Sequence, residues 1–252
     1  MIIKTKALVI REYIVGESDK YITLFTKEIG KIQVLAPRAK KSDKGFASGT
    51  QVFVYGDFML TSFKDTYRLV GVEVIEMFHN IRSDLTTLSY ASYIMEFIQS
   101  ITEAELPQQE LLKLTLYTLK AFVKGEMAPP LIRRTFELRA MSLIGFMPVL
   151  EACSGCGEVV KEQADKLYHF SPEEGGIVCG ACKQYVKFYL TVQYTTLYCM
   201  KYIIGAPLSQ LFHFELTPSI QMELDSVCEA YVGYYIDKEF KTLDFIARIE
   251  KM

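Results

Sequence analysis

The sequence predicts an α+β multidomain chain, with an N-terminal five-stranded β-barrel followed by an α-helical domain that carries an inserted four-cysteine zinc-binding element. Three observations predict it. Residues 1–80 read as short strands separated by turn residues; from residue 83 the apolar period changes from two to about 3.6; and two Cys-x-x-Cys pairs interrupt the helical pattern. The expected boundaries are 1–80 for the barrel domain, 81–150 for the first part of the helical domain, 151–185 for the zinc element and 186–252 for the C-terminal helical part.

The barrel strands come first. Thr5 to Val15 is rich in Val, Ile, Leu and Tyr and ends at the turn cluster Gly16-Glu17-Ser18-Asp19. Lys20 to Lys27 carries Tyr21, Ile22, Thr23, Phe25 and Thr26, which are good strand formers. Gly30 breaks the chain, and Lys31 to Ala36 alternates until Pro37. A polar loop from Arg38 to Thr50 follows, then Gln51–Phe63 and Thr66–Phe78 separated by Lys64-Asp65. Five strands with short turns and one longer loop suit a small closed barrel of the OB-fold type, with an SH3-like barrel as the competing solution.

The helical domain is marked by its caps. Ser83 can cap a helix whose face carries Leu85, Leu88, Ser92, Met95 and Ile98. Pro107 sits near the start of a second helix, with Leu112, Leu116, Leu119 and Val123, and Gly125 closes it. Pro129-Pro130 opens a third, with Ile132, Phe136, Ala140 and Leu143 on one stripe and Gly145 at its end. Lys183 to Ile204 reads as a long aromatic-rich helix, and Thr217-Pro218 starts another through Ile220, Leu224, Val227, Tyr231 and Tyr234. These stripes read as bundle core.

Composition excludes several classes. The chain has 252 residues, half of them hydrophobic and 23% charged, which is too apolar for disorder. No apolar run reaches the roughly 18 residues of a spanning helix. The N-terminus lacks a charged region followed by an apolar one, so no secretory signal is expected. The expected location is the cytoplasm, without membrane association and with cysteines reduced or metal-bound. Three histidines argue against a His-rich catalytic metal site. The first 50 residues hold ten Lys/Arg and five acids, a net of +5 that leaves −7 for the rest of a chain whose total is −2. A basic end on an acidic body points toward nucleic acid more than the near-neutral total does.

The sharpest motif is Cys153-x2-Cys156 with Cys179-x2-Cys182. Two such pairs can set four thiolates tetrahedrally around Zn²⁺, and four protein ligands leave no position for a catalytic water. Gly157 allows a tight turn after the first pair, and Phe170 to Gly176 reads as a hairpin turn that absorbs the gap. His169 is an alternative fourth ligand. A single pair would leave a redox dithiol as a rival. Cys199 and Cys228 fall within helical runs and read as packed core thiols.

The second motif is the loop Pro37 to Gly45. Arg38, Lys40, Lys41 and Lys44 face one acid there, Asp43. Basic side chains on a barrel rim suit phosphate contacts, with Lys20, Lys27 and Lys31 on the same side and Tyr21, Phe46 or Phe53 available to stack on bases. The plain alternative is a solubilising loop. No Walker loop, H-E-x-x-H, G-x-S-x-G or dinucleotide fingerprint is present, and the carboxylates are scattered, so no catalytic residue is expected. Two other classes remain: a zinc-ribbon scaffold for RNA or a protein assembly, and a zinc-dependent hydrolase, which would need an open three-ligand metal site.

In this order the motifs resemble the RecO family of DNA recombination and repair mediators. The resemblance runs from Gly16-Glu17-Ser18-Asp19-Lys20, Leu24-Phe25-Thr26 and Gly30-Lys31 through the Arg38 to Lys44 loop. It continues with Ile81-Arg82-Ser83-Asp84-Leu85, Ala91-Ser92-Tyr93, Arg134 to Arg139, Leu143 to Phe146 and the cysteine pairs, ending at Lys241 to Phe245. Some members lack the cysteines; this chain keeps all four, so the metal is carried over. The resemblance implies an OB-fold, a helical domain and a structural zinc. It further implies binding of single- and double-stranded DNA, annealing of complementary strands without a nucleotide cofactor, and association with the nucleoid during repair. The implied protein partners are RecR and the C-terminal tail of single-stranded DNA-binding protein, on whose coated strands recombinase is loaded. An acidic, apolar tail would need an apolar groove edged by a cation, for which Arg133, Arg134 and Arg139 are candidates. The nucleic-acid residues expected are therefore Lys20, Lys31, Arg38, Lys40, Lys41 and Lys44.

Overall fold

The computed structural model describes residues 2–40, 46–63, 66–161, 163 and 166–251. The chain divides into two compact units, residues 1–123 with 240–252, and residues 124–239.

The first unit opens with β1 (Ile2–Val15), β2 (Asp19–Thr26) and β3 (Gly30–Ala36). One helical turn, α1 (Phe46–Gly49), follows before β4 (Tyr55–Phe63) and β5 (Thr66–Glu76). The five strands close a barrel in the order β1-β2-β3-β5-β4, as an OB-type chain requires. Strand β1 is 14 residues long because it serves two neighbours. Its first half pairs with β4 and its second with β2, and a bulge between Val9 and Arg11 bends it between them. Closure comes from a short parallel contact in which Val34 faces Tyr67 and Leu35 faces Arg68. Alternation then sorts the side chains. Val9, Ile22, Leu24, Val34, Phe58 and Leu60 fill the interior. Each such side chain stabilises by about 1.5–3 kcal/mol on full burial.

Helix α2 (Leu85–Ile101) begins at Asp84, whose carboxylate accepts the Thr87 amide at 2.7 Å. The cap is thus Asp84 and not Ser83, one residue later than the sequence suggests, because the side-chain oxygen must reach the third helical residue. At the other end of α2 the Lys31 ammonium donates to the carbonyls of Gln99, at 2.7 Å, and Thr102. The following segment runs beside β3, with the Glu105 amide bonded to the Lys31 carbonyl at 3.1 Å. Gly30 is needed there: its φ is +81°, and a Cβ would lie 2.3 Å from the Leu106 carbonyl oxygen. Helix α3 (Gln109–Lys124) ends at Gly125, whose φ of +67° is a left-handed stop.

The second unit contains α4 (Pro129–Leu143), a small sheet ordered β7-β6-β8, α5 (Tyr194–Gly205) and α6 (Pro218–Tyr235). The strands are β6 (Leu167–Ser171), β7 (Gly176–Val178) and β8 (Leu190–Gln193). The expected helix from Lys183 to Ile204 is therefore corrected. Its first half is a 3₁₀ turn, Cys182–Tyr185, and an irregular stretch leading into β8; only Tyr194–Gly205 is helical. Thr191 and Val192 suit a strand, and Val192 is buried opposite Tyr168 of β6. An aromatic apolar run satisfies either reading until its neighbour strand is known. Between α4 and α6 lies a buried ion network. Glu137, fully buried, accepts from Arg133 at 2.8 Å and Arg134 at 3.0 Å, and Arg134 also bonds Asp225 at 3.0 Å.

The last helix, α7 (Lys241–Ile249), belongs to the first unit; the sequence marks this end of the chain as helical without delimiting the helix. Phe240 places its ring 5.3 Å from that of Tyr93 and 5.6 Å from that of Phe97 on α2. Thr242 donates through both its amide and its hydroxyl to Glu96, and Tyr90 bonds Glu250. No helix among the described residues is long and apolar enough to cross a membrane.

Candidate metal centre and nucleic-acid face

The two cysteine pairs converge. The four sulfurs of Cys153, Cys156, Cys179 and Cys182 all lie within 4.8 Å of one another. The Cys156 and Cys179 sulfurs are 3.8 Å apart. Four sulfurs bound tetrahedrally at about 2.3 Å from one ion would stand about 3.8 Å apart, so the donor set fits zinc in size and chemistry.

Each pair sits on a tight turn. The Gly157 amide returns to the Cys153 carbonyl at 2.8 Å with φ +76°, and the Lys183 amide returns to the Cys179 carbonyl at 2.9 Å. Gly155 allows the close approach of the two turns, since a Cβ there would lie 3.2 Å from the Cys182 sulfur. The hairpin of β6 and β7 brings the second pair to the first, and the Pro172 to Gly175 turn closes it with a 3.1 Å bond. Burial raises the Cys153 thiol pKa, but amides of Cys179, Cys156 and Gly155 aimed at the sulfur outweigh it and bring the group to about 6. The crowded thiols around Cys182 push that group up to about 12. A divalent ion would replace these protons and relieve the crowding.

His169 is not among the clustered ligands. Its Nε2 lies 3.2 Å from the Lys183 ammonium, and its ring meets Tyr189 edge-on at 4.9 Å. Cys199 and Cys228 are buried in α5 and α6, as core thiols.

On the barrel, the expected cations separate into groups. Arg38 and Lys40 are exposed on either side of the buried Ala39. Their loop is tied to the β1–β2 turn by the Arg38 amide on Asp19 at 2.8 Å and the Lys40 amide on the Ser18 carbonyl at 3.0 Å. The Arg38 amide is the largest cause holding the Asp19 carboxyl below its ordinary range; the charges of Arg68 and Arg38 add to it. Lys41 and Lys44 lie outside the described residues. Lys20 lies on the strand face of the buried Ile22, opposite to that of Tyr21, and pairs with Glu12 at 2.5 Å. Lys31 is the cation at the C-terminus of α2. Both of these ammonium groups are engaged within the fold, Lys20 by Glu12 and Lys31 by the carbonyls of Gln99 and Thr102.

The sequence reading names Tyr21 for stacking beside that loop but misses its partner Tyr13. Cross-strand register aligns Tyr13, Tyr21, Leu35 and Arg68 across β1, β2, β3 and β5. Tyr13 and Tyr21 stack with centroids 5.5 Å apart, the Gln33 amide donates to the Tyr13 hydroxyl at 2.6 Å, and Arg11 lies 5.9 Å from the Tyr13 ring. Phe53 is buried beneath Arg82, and Phe46 packs on the barrel core, so neither offers a stacking surface. The β1–β2 turn held the signal, since a turn at Gly16 to Ser18 sets Tyr13 opposite Tyr21. The third set of arginines is engaged inside the fold. Arg134 is in the buried network, and Arg139 donates to the carbonyls of Ile203 and Ala206 at the end of α5, each at 3.4 Å.

Two family models cover the chain. Residues 1–78 match the model described as "Recombination protein O N terminal" and residues 82–244 the one described as "Recombination protein O C terminal". The chain is 34% identical to the "DNA repair protein RecO" of Acetivibrio thermocellus over 99% of its own length and 98% of the relative's. The protein so named in Thermoanaerobacter sp. is 32% identical over 100% and 99%, and that of Alkaliphilus metalliredigens 30% over 99% and 100%.

Proposed function

Because the chain belongs to the RecO family of DNA repair proteins, we propose that it is a recombination and repair mediator whose barrel grips single-stranded DNA on the face of Tyr13 and Tyr21. The observation that carries this is the stacked tyrosine pair, Tyr13 exposed and Tyr21 half-buried, with Arg11 near the Tyr13 ring, Arg68 in register beyond Leu35, and Arg38 and Lys40 on the loop tied to the β1–β2 turn. Bases stack on the rings and phosphates meet the cations, a combination that tolerates any sequence.

Annealing follows from the same chemistry. Two strands approach when their charge is neutralised and their pairing edges stay free, and duplex DNA is held by its phosphates alone. The protein acts without catalysis, in the cytoplasm, on the DNA of the nucleoid. RecR and the acidic tail of single-stranded DNA-binding protein are its partners in loading recombinase. Arg134 and Arg139 are committed within the fold, so the tail's site lies away from them. Cys153, Cys156, Cys179 and Cys182 hold a structural Zn²⁺, whose chemistry is to cross-link the two turns.

Binding of a labelled dT oligonucleotide at several salt concentrations tests the reading. Replacing Arg38, Lys40 and Arg68 by alanine should flatten the log–log salt slope by about 2, at roughly 0.7 per lost phosphate contact. Tyr13→Ala with Tyr21→Ala should weaken binding at least about tenfold while leaving the slope in place. Unchanged affinity and slope in both variants would refute the barrel face.

A further inference from the structure

In the second unit, the stretch between the last metal-site cysteine and β8 is an exposed aromatic and basic surface that the barrel reading does not use. Tyr185 is 81% exposed and Phe188 52%, and neither makes a ring contact among the described residues. Tyr189 is less open, with the Lys183 ammonium 5.8 Å from its ring. Residues 182–189 contain two lysines and no carboxylate, on a chain whose total charge is −2. The nearest acid partner is Glu173, 3.9 Å from a Lys187 whose side chain is 89% exposed. Large rings left exposed within four residues of one another mark an interaction surface.

The stretch is also held at both ends. The Lys183 amide is bonded to Cys179, the Gln184 side chain donates to the Ala181 carbonyl at 3.0 Å, and β8 begins at Leu190. From Tyr185 to Tyr189 the chain reaches at most about 14 Å, so the rings and both ammonium groups fall within a few nucleotides of one another.

We propose that Lys183 to Tyr189 is a second contact for single-stranded DNA, with bases stacking on Tyr185 and Phe188 and phosphates meeting Lys183 and Lys187. The charge decides for this ligand: exposed rings on a stretch that carries two lysines and no carboxylate of its own suit a polyanion with π-faces. The inference rests on the DNA-binding reading above and extends it, since annealing is served by a protein with more than one place to hold a strand.

The chain has no tryptophan, so Phe188→Trp introduces a single indole reporter. The full-length variant is titrated with a labelled dT oligonucleotide while indole emission and label anisotropy are read together, with Tyr185→Trp as a second reporter. Metal content and thermal midpoint check that both fold. The expected result is quenching that saturates with the anisotropy and persists when Tyr13 and Tyr21 are alanine. Tyr185→Ala with Phe188→Ala should weaken binding about tenfold in that same background. If anisotropy reports bound DNA and neither indole responds, or quenching vanishes with Tyr13 and Tyr21, the second contact is refuted and the barrel face stands. If no variant or parent binds DNA, both readings fail. Emission that changes with protein concentration alone would assign the surface to a second copy of the chain and overturn the proposal.

Discussion

Lys31 and Lys40 stand nine residues apart in one basic run, yet their ammonium groups have different work. Lys31 satisfies carbonyls at the end of α2. Lys31→Ala should therefore cost about 1–3 kcal/mol of stability in chemical denaturation and leave the salt slope of DNA binding alone. Arg38→Ala with Lys40→Ala should do the reverse, flattening the slope by about 1.4 while the thermal midpoint hardly moves, because exposed loop residues contribute little packing. Sequence could not separate the two lysines, since the helix end that claims Lys31 arrives about seventy residues later. The cysteines were legible for the opposite reason: a Cys-x-x-Cys turn is local geometry, and only the meeting of the two turns is tertiary. Elemental analysis should find one zinc per chain, lost in Cys179→Ser with Cys182→Ser; retention of the metal would remove these residues from the site.

At the scale of the element, caps and registers decide. The Thr87 amide holds the Asp84 carboxyl below its ordinary range. Asp84→Ala should cost about 0.5–2 kcal/mol. The folded pKa is the lower one, so the cap's contribution is full above the unfolded value of about 3.8. It fades as pH falls through the folded value, and the variant should converge with the parent in acid denaturation. The five barrel strands were readable because glycine-marked turns such as Gly16 and Gly30 punctuate an alternating pattern. Strand β8 was not, because a run of tyrosine, phenylalanine and valine fits a buried helix equally well, and its pairing with β6 is invisible in the local sequence. Tyr13 went unnoticed as the partner of Tyr21 because stacking depends on register and not on spacing. The small sheet also depends on the metal turns beside it. Chelation should raise amide exchange in residues 151–193 first and leave the barrel strands protected; uniform loss of protection would contradict a local role for the ion.

For the whole molecule, the order of the chain and the order of its packing differ. Residues 124–239 form a unit inserted between α3 and α7, and α7 completes the unit begun by β1. Cutting the chain after Glu239 should expose Tyr93 and Phe97, lower the stability of the barrel-bearing unit and speed exchange along α2, although no barrel residue is removed. Normal protection of α2 in the truncated chain would show that α7 is dispensable. The same arrangement sets a schedule during synthesis. A ribosome adding about 5–20 residues per second takes roughly 6–23 s to pass from Val123 to Phe240. Through that interval Tyr93 and Phe97 lack the Phe240 ring that meets them in the folded unit, so the barrel-bearing unit is finished only after the whole inserted unit has been made.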